Sequence, residues 1–209
     1  LEFSGNEGRP LDHVTAVIVG AGHRAVTYAS YAERHPDELK IVGVADPNAR
    51  RRQQMAQRFG FGPDRCYESA EQLPQAGKIA DGVINGTMDH QHVETAVPLL
   101  EAGYDMLLEK PFATNREEMW KLANVAKAHN RKVMICHVLR YAPFYAAIRN
   151  RVAGGDIGQL VNVQTIEHVS YHHMGVGFVR GEVESKGSVP FIDVDGQVLP
   201  RSGFDYVDD

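Results

Sequence analysis

The run Val14-Thr15-Ala16-Val17-Ile18-Val19-Gly20-Ala21-Gly22-His23-Arg24-Ala25 constrains this chain most. Six residues of strand-forming, mostly apolar character end abruptly in a glycine turn, and helix-compatible residues come next (Val26, Tyr28, Ala29, Tyr31, Ala32). A strand, a glycine turn and a helix start in that order match the G-x-G-x-x-A form of a dinucleotide site. Gly20 permits the tight turn, Gly22 lets backbone approach a pyrophosphate, and Ala25 keeps the helix close to the sheet. The free N–H groups of the first helical turn then face the phosphates, which makes His23 and Arg24 candidate cofactor-binding residues. A glycine turn alone is a weak signal, and it gains weight only from matching residues further along the chain.

A second apolar strand spans 39–45, and Asp46 stands at its C-terminal end, 24 residues after Gly22. An acidic residue there can accept hydrogen bonds from the adenosine ribose hydroxyls. The competing reading is a helix N-cap before Pro47 and Asn48, which open the next helix. The pattern then repeats. Strands are expected near 66–67, at 82–85, at 104–108 and at 132–136, with helices near 70–73, 90–102 and 114–129 between them. Strands alternating with helices at this spacing predict an α/β fold with a doubly wound parallel (Rossmann) sheet, whose ligands bind at the strands' carboxyl ends. The informative residues are therefore 20–24, Asp46, 87–92, 109–111 and 137–141.

A helix at 143–153, a breaker at 154–158 and an alternating strand at 160–168 place a domain boundary after residue 153. The expected organisation is a lead-in at 1–10, a dinucleotide-binding domain at 11–153 and a partial α+β domain at 154–209. The last segment begins an incomplete substrate or oligomerisation domain, with a hairpin at 191–199 around an Asp-Gly turn. Its tail carries seven acids against two bases beyond Gly181.

The formal net charge is −5, which argues against a nucleic-acid or membrane-surface partner. The basic run Arg50-Arg51-Arg52 is short and reads as a solvated helix face, with a cofactor role for Arg50 as the alternative. Two cysteines do not make a disulfide framework, and no apolar run approaches a membrane span. A reducing cytoplasm is the expected compartment.

The elements Val44-Ala45-Asp46-Pro47, Thr87 with His92, Glu109-Lys110-Pro111, His137-Val138-Leu139-Arg140-Tyr141 and Gly155-x-Ile157-Gly158 succeed the glycine turn in order. With them the chain resembles the Gfo/Idh/MocA group of NAD(P)-dependent sugar and polyol oxidoreductases over about residues 13–181. The resemblance implies hydride transfer between a nicotinamide and a carbon bearing a hydroxyl or keto group. It places Lys110 beside nicotinamide and substrate as a catalytic residue, where an ammonium can stabilise an alkoxide-like oxygen or pass on a proton. The bland alternative is a surface lysine at a strand end. Pro111 fixes the backbone there, often after a cis peptide in this family, and Glu109 orients its neighbours. Thr87 and His92 are placed near the cofactor, although a histidine early in a helix can instead be packed or capping. Arg140 contacts cofactor or substrate, or else forms an interdomain salt bridge.

The chain also departs from the family. No histidine occurs after His173, so the Asp-x-x-x-His element that often supplies the acid/base is absent. Either the chain is a shortened form, or acid/base work falls to Lys110 with His172 or His173. His168, His172 and His173 lack a recognised metal-ligand spacing, so no metal is expected and the last two are read as substrate-side or interface residues. Two functions are compatible with these residues: an oxidoreductase acting on a sugar, polyol or related secondary alcohol, or a dinucleotide-binding module without turnover. NAD is expected over NADP because Asp46 repels a 2′-phosphate, although Arg50 or Arg51 could relieve that repulsion. The incomplete second sheet leaves an unpaired edge and one side of the nicotinamide pocket open, which predicts a homo-oligomer.

Overall fold

The computed structural model describes residues 13–166, together with the backbone pairing of two short strands at 191–192 and 198–199. The chain divides into two units at 142/143. In the first, strands β1 (Val14–Val19), β2 (Leu39–Ala45), β3 (Cys66–Tyr67), β4 (Gly82–Asn85), β5 (Asp105–Leu108) and β6 (Val133–Ile135) form one sheet in the order 3-2-1-4-5-6. Every neighbouring pair is parallel. This is the doubly wound Rossmann sheet, with its switch point between β1 and β4.

The apolar runs are continuous because both faces of the sheet are covered. Along β1, Val17 and Val19 join one core with Val83, Leu99, Leu100 and Leu108. Ala16 and Ile18 point the other way, into a second core with Ala25, Ala29, Ile41 and Val44. Helices α1 (His23–Ala29), α2 (Tyr31–Arg34) and α3 (Ala49–Phe59) pack on β1 and β2, while α5 (His92–Glu101) packs on β4 and β5, with α4 (Gln72–Gln75) and α6 (Arg116–Ala128) beside α5. Pro98 inside α5 forfeits one backbone bond. The helix survives because Val93, Ala96, Val97, Leu99 and Leu100 bury one side of it.

Caps explain several boundaries. Asn48 caps α3 by accepting from the N–H groups of Arg50 and Arg51. That frees Asp46 from the capping alternative. At the other end, Gly60 takes the left-handed conformation (φ 73°) that closes the helix. Asn115 caps α6 through the Glu118 N–H, and the Glu118 carboxylate returns to the N–H and hydroxyl of Thr114. Among the described residues no helix is long and apolar enough to cross a membrane.

In the second unit, α7 (Pro143–Ala153) forms where expected. Residues 160–166 do not pair as a strand, contrary to their alternating pattern, and Val161 and Ile166 are 90% and 72% exposed. Alternation specifies which face is apolar but supplies no hydrogen-bonding neighbour. Phe191–Ile192 and Val198–Leu199 pair antiparallel, as the Asp-Gly turn predicts. The expected lead-in at 1–10, His168, His172 and His173 lie outside the described residues.

Candidate functional site

At the switch point, the turns after β1 and β4 touch. Gly20 has φ +75°, and a Cβ built there meets the Thr87 backbone nitrogen at 2.8 Å. Only glycine fits both the angle and the approach. Gly22 differs: its φ is −81°, and a Cβ there meets nothing within 4 Å. The bare backbone at Gly22 therefore opens onto free space at the start of α1, the cradle a pyrophosphate needs. Behind it, Gly86 and Ala25 pack so closely that a Cβ on Gly86 falls 2.8 Å from that of Ala25. This explains the small residue at position 25.

Asp46 is 3% exposed, and both carboxylate oxygens are engaged. Oδ2 accepts from the Ala21 N–H at 2.7 Å and Oδ1 from the Asn48 N–H at 2.8 Å. The carboxylate thus holds the glycine turn against the end of β2. Each oxygen keeps a second lone pair for a ribose hydroxyl. Arg51 Nη1 lies 3.8 Å from Oδ2, whereas Arg50 is exposed on α3.

The Glu-Lys-Pro segment comes directly after β5. Glu109 donates its N–H to the Asn85 carbonyl, and its side chain is 5% exposed. Oε1 accepts from Arg24 Nε and from the Tyr28 hydroxyl, both at 2.7 Å, and Oε2 accepts from the Lys110 N–H. Burial pushes the Glu109 carboxyl up, but the hydrogen bonds from Arg24, Tyr28 and Lys110 outweigh it and hold the group below the usual carboxylate range. Burial, with the neighbouring Glu109 carboxylate, raises the Tyr28 phenol strongly. The buried Cys136 thiol beside it is also raised by burial. Arg24, a candidate cofactor residue by sequence, pairs through Nε with Glu109, and its guanidinium lies 5.5 Å from the Tyr28 ring centroid.

Lys110 and Pro111 are exposed, and the peptide between them is cis. His92 is not exposed: at 1% it belongs to the core, with Nδ1 2.6 Å from the Pro111 carbonyl and Nε2 3.1 Å from the Thr87 carbonyl. Both ring nitrogens of His92 thus face backbone carbonyl oxygens. Thr87 donates its hydroxyl to Asn85 Oδ1, and the Asn85 amide donates to Thr95. Arg140 ends a 3-10 turn after β6 and is exposed. Tyr28 and Asn85 escaped the sequence reading. The signal for Tyr28 was its i+4 spacing from Arg24 on a helix, and for Asn85 a polar residue closing an apolar strand.

The arrangement collects Gly20, Gly22, Asp46, Thr87, Glu109, Lys110 and Pro111 at one end of the sheet. A profile of the Gfo/Idh/MocA oxidoreductase family, NAD-binding Rossmann fold, matches residues 14–137. The chain belongs to this family. The Gfo/Idh/MocA chain is 31% identical to the rhizopine catabolism protein MocA of Rhizobium meliloti over 150 residues, 72% of this chain and 45% of that protein. It is 30% identical to a trans-1,2-dihydrobenzene-1,2-diol dehydrogenase of Mus musculus, covering 68% of this chain and 42% of that one. Among solved structures, an NAD-binding protein from Listeria innocua superposes with a TM-score of 0.61 at 30% identity, covering 70% of this chain and 42% of that one. The Gfo/Idh/MocA chain therefore spans less than half the length of these relatives. Its Rossmann domain is an NAD-binding domain, and the open backbone at Gly22 with the carboxylate of Asp46 fits that cofactor. Among the described residues no cluster of His, Cys, Asp or Glu could hold a metal ion.

Proposed function

We propose that this chain is the cofactor-binding part of an oxidoreductase that moves a hydride between NAD and a carbon bearing a hydroxyl or keto group in a sugar, polyol or related secondary alcohol. The observation that carries the reading is the 2.7 Å pair between Arg24 and Glu109, which joins the glycine-turn helix to the segment bearing Lys110. Bound NAD would supply the hydride acceptor at nicotinamide C4. The chain's own residues do the rest: the α1 N–H groups and Gly22 receive the pyrophosphate, Asp46 the adenosine ribose, and the Lys110 ammonium holds the substrate oxygen as charge develops on it. Thr87, Pro111 and Arg140 are the residues we assign to the nicotinamide side. The names of the MocA and diol dehydrogenase relatives support a small polar alcohol as substrate. A second reading is a dinucleotide-binding module without turnover, and it rests on the matched family domain being the NAD-binding one.

Calorimetric titration with NAD and NADP tests the binding half. We expect NAD to bind at least about tenfold more tightly, because the buried Asp46 carboxylate repels a 2′-phosphate. Preference for NADP would refute that role for Asp46. Nicotinamide absorbance monitored with a panel of polyols and sugars tests the chemistry: turnover abolished by Lys110→Ala supports the oxidoreductase, and binding without any turnover supports the module.

A further inference from the structure

Lys110 stands on an exposed segment, so something must fix the backbone that aims it. One anchor is the Glu109 carboxylate, which takes the Lys110 N–H. The next residue, Pro111, has no N–H to give, and its carbonyl is the group by which it can be held. His92 Nδ1 meets that carbonyl at 2.6 Å. The other ring nitrogen meets the Thr87 carbonyl at 3.1 Å, and Thr87 itself abuts Gly20. The imidazole is 1% exposed and has no nitrogen left for a ligand.

We propose that His92 is a positioning residue: its buried ring ties the turn after β4 to the turn after β5 and so sets the distance between the glycine turn and Lys110. The proposal rests on the reading of Lys110 as a nicotinamide-site residue. A neutral imidazole carries one N–H, and the shorter contact, 2.6 Å to the Pro111 carbonyl, assigns it to Nδ1, a donor that an apolar residue of similar shape cannot supply. Loss of the donor frees the Pro111 carbonyl, and a lysine must be held to within about half an ångström to act on a bound oxygen.

The test compares NAD with ADP-ribose, which shares the pyrophosphate and adenosine but lacks the nicotinamide, by calorimetry on the full chain. His92→Leu is expected to weaken NAD at least about fivefold and ADP-ribose by less than about twofold. His92→Asn, whose amide nitrogen stands near the Nδ1 position, recovers most of the loss, whereas His92→Gln does not. A ligand-free reading comes from reductive 13C-methylation. The Lys110 resonance, assigned with Lys110→Arg, shifts in His92→Leu and returns in His92→Asn while the other lysine resonances stay in place. Equal weakening of both ligands, or unchanged NAD affinity with an unmoved Lys110 resonance, overturns the proposal. If His92→Leu does not fold, the Asn and Gln variants decide by the same two readouts. If the wild type binds neither ligand, the dinucleotide reading fails, while the Lys110 resonance still judges the role of His92.

Discussion

Glu109 illustrates how one side chain can serve both fold and site. Its carboxylate is buried, and it receives Arg24, Tyr28 and the Lys110 N–H. Because these partners favour the ionised form, the folded state holds the proton less tightly than the unfolded chain. The resulting stability is complete above the ordinary glutamate range, near pH 4.3, and is lost as pH falls through that value toward the lower folded pKa. Urea unfolding of wild type and Glu109→Gln between about pH 3 and 7 checks this. The wild-type advantage should be largest at neutral pH and shrink on acidification; a constant difference would refute it. Glu109 was legible as a site residue in the sequence, but its partner was not, since Arg24 lies 85 residues away.

At the scale of elements, the β1 turn carries two glycines that look alike in sequence and differ in space. Gly20→Ala forces a side chain into positive φ and against the Thr87 backbone, so it should cost about 1–3 kcal/mol in urea unfolding and weaken NAD binding as well. Gly22→Ala has an ordinary φ and empty surroundings, so stability should change by no more than about 0.5 kcal/mol. NAD affinity should nevertheless fall, because the added methyl occupies the pyrophosphate's approach. Equal stability losses in both variants would contradict the described turn. The helices and strands themselves were largely readable from apolar runs and turn residues. Exceptions arose where a boundary depends on a cap or a neighbour: α5 begins at His92 after a 3-10 turn at Asp89–Gln91, and residues 160–166 find no strand partner among the described residues.

On the scale of the molecule, the edge of the sheet carries the prediction about partners. Among the described residues, strand β6 is paired only on its β5 side. Beside it, Phe112, Leu122, Ala126, Val133 and Ile135 line an apolar groove. Met119, Trp120 and Met134 are 45%, 59% and 49% exposed. We propose this apolar surface as an association site whose partner is a second copy of the chain. Sedimentation equilibrium should give at least twice the 23.1 kDa chain mass. Trp120→Glu should return the protein to monomer with NAD affinity unchanged. A monomeric wild type would refute self-association.

Local pattern determined the α/β class, the six strands, the glycine turn, and the identity of Asp46, Glu109, Lys110 and Pro111 as residues at strand ends. These properties arise from apolar periodicity and from turn residues a few positions apart, which are written contiguously in the chain. Tertiary structure decided the partners. Asp46 became the holder of the glycine turn through Ala21, Arg24 was drawn to Glu109, and His92 became a buried tie between Thr87 and Pro111. Each of those bonds joins residues brought together only when β2, β4 and β5 are laid beside β1, and sheet order is a property of the whole packed domain rather than of any stretch of sequence.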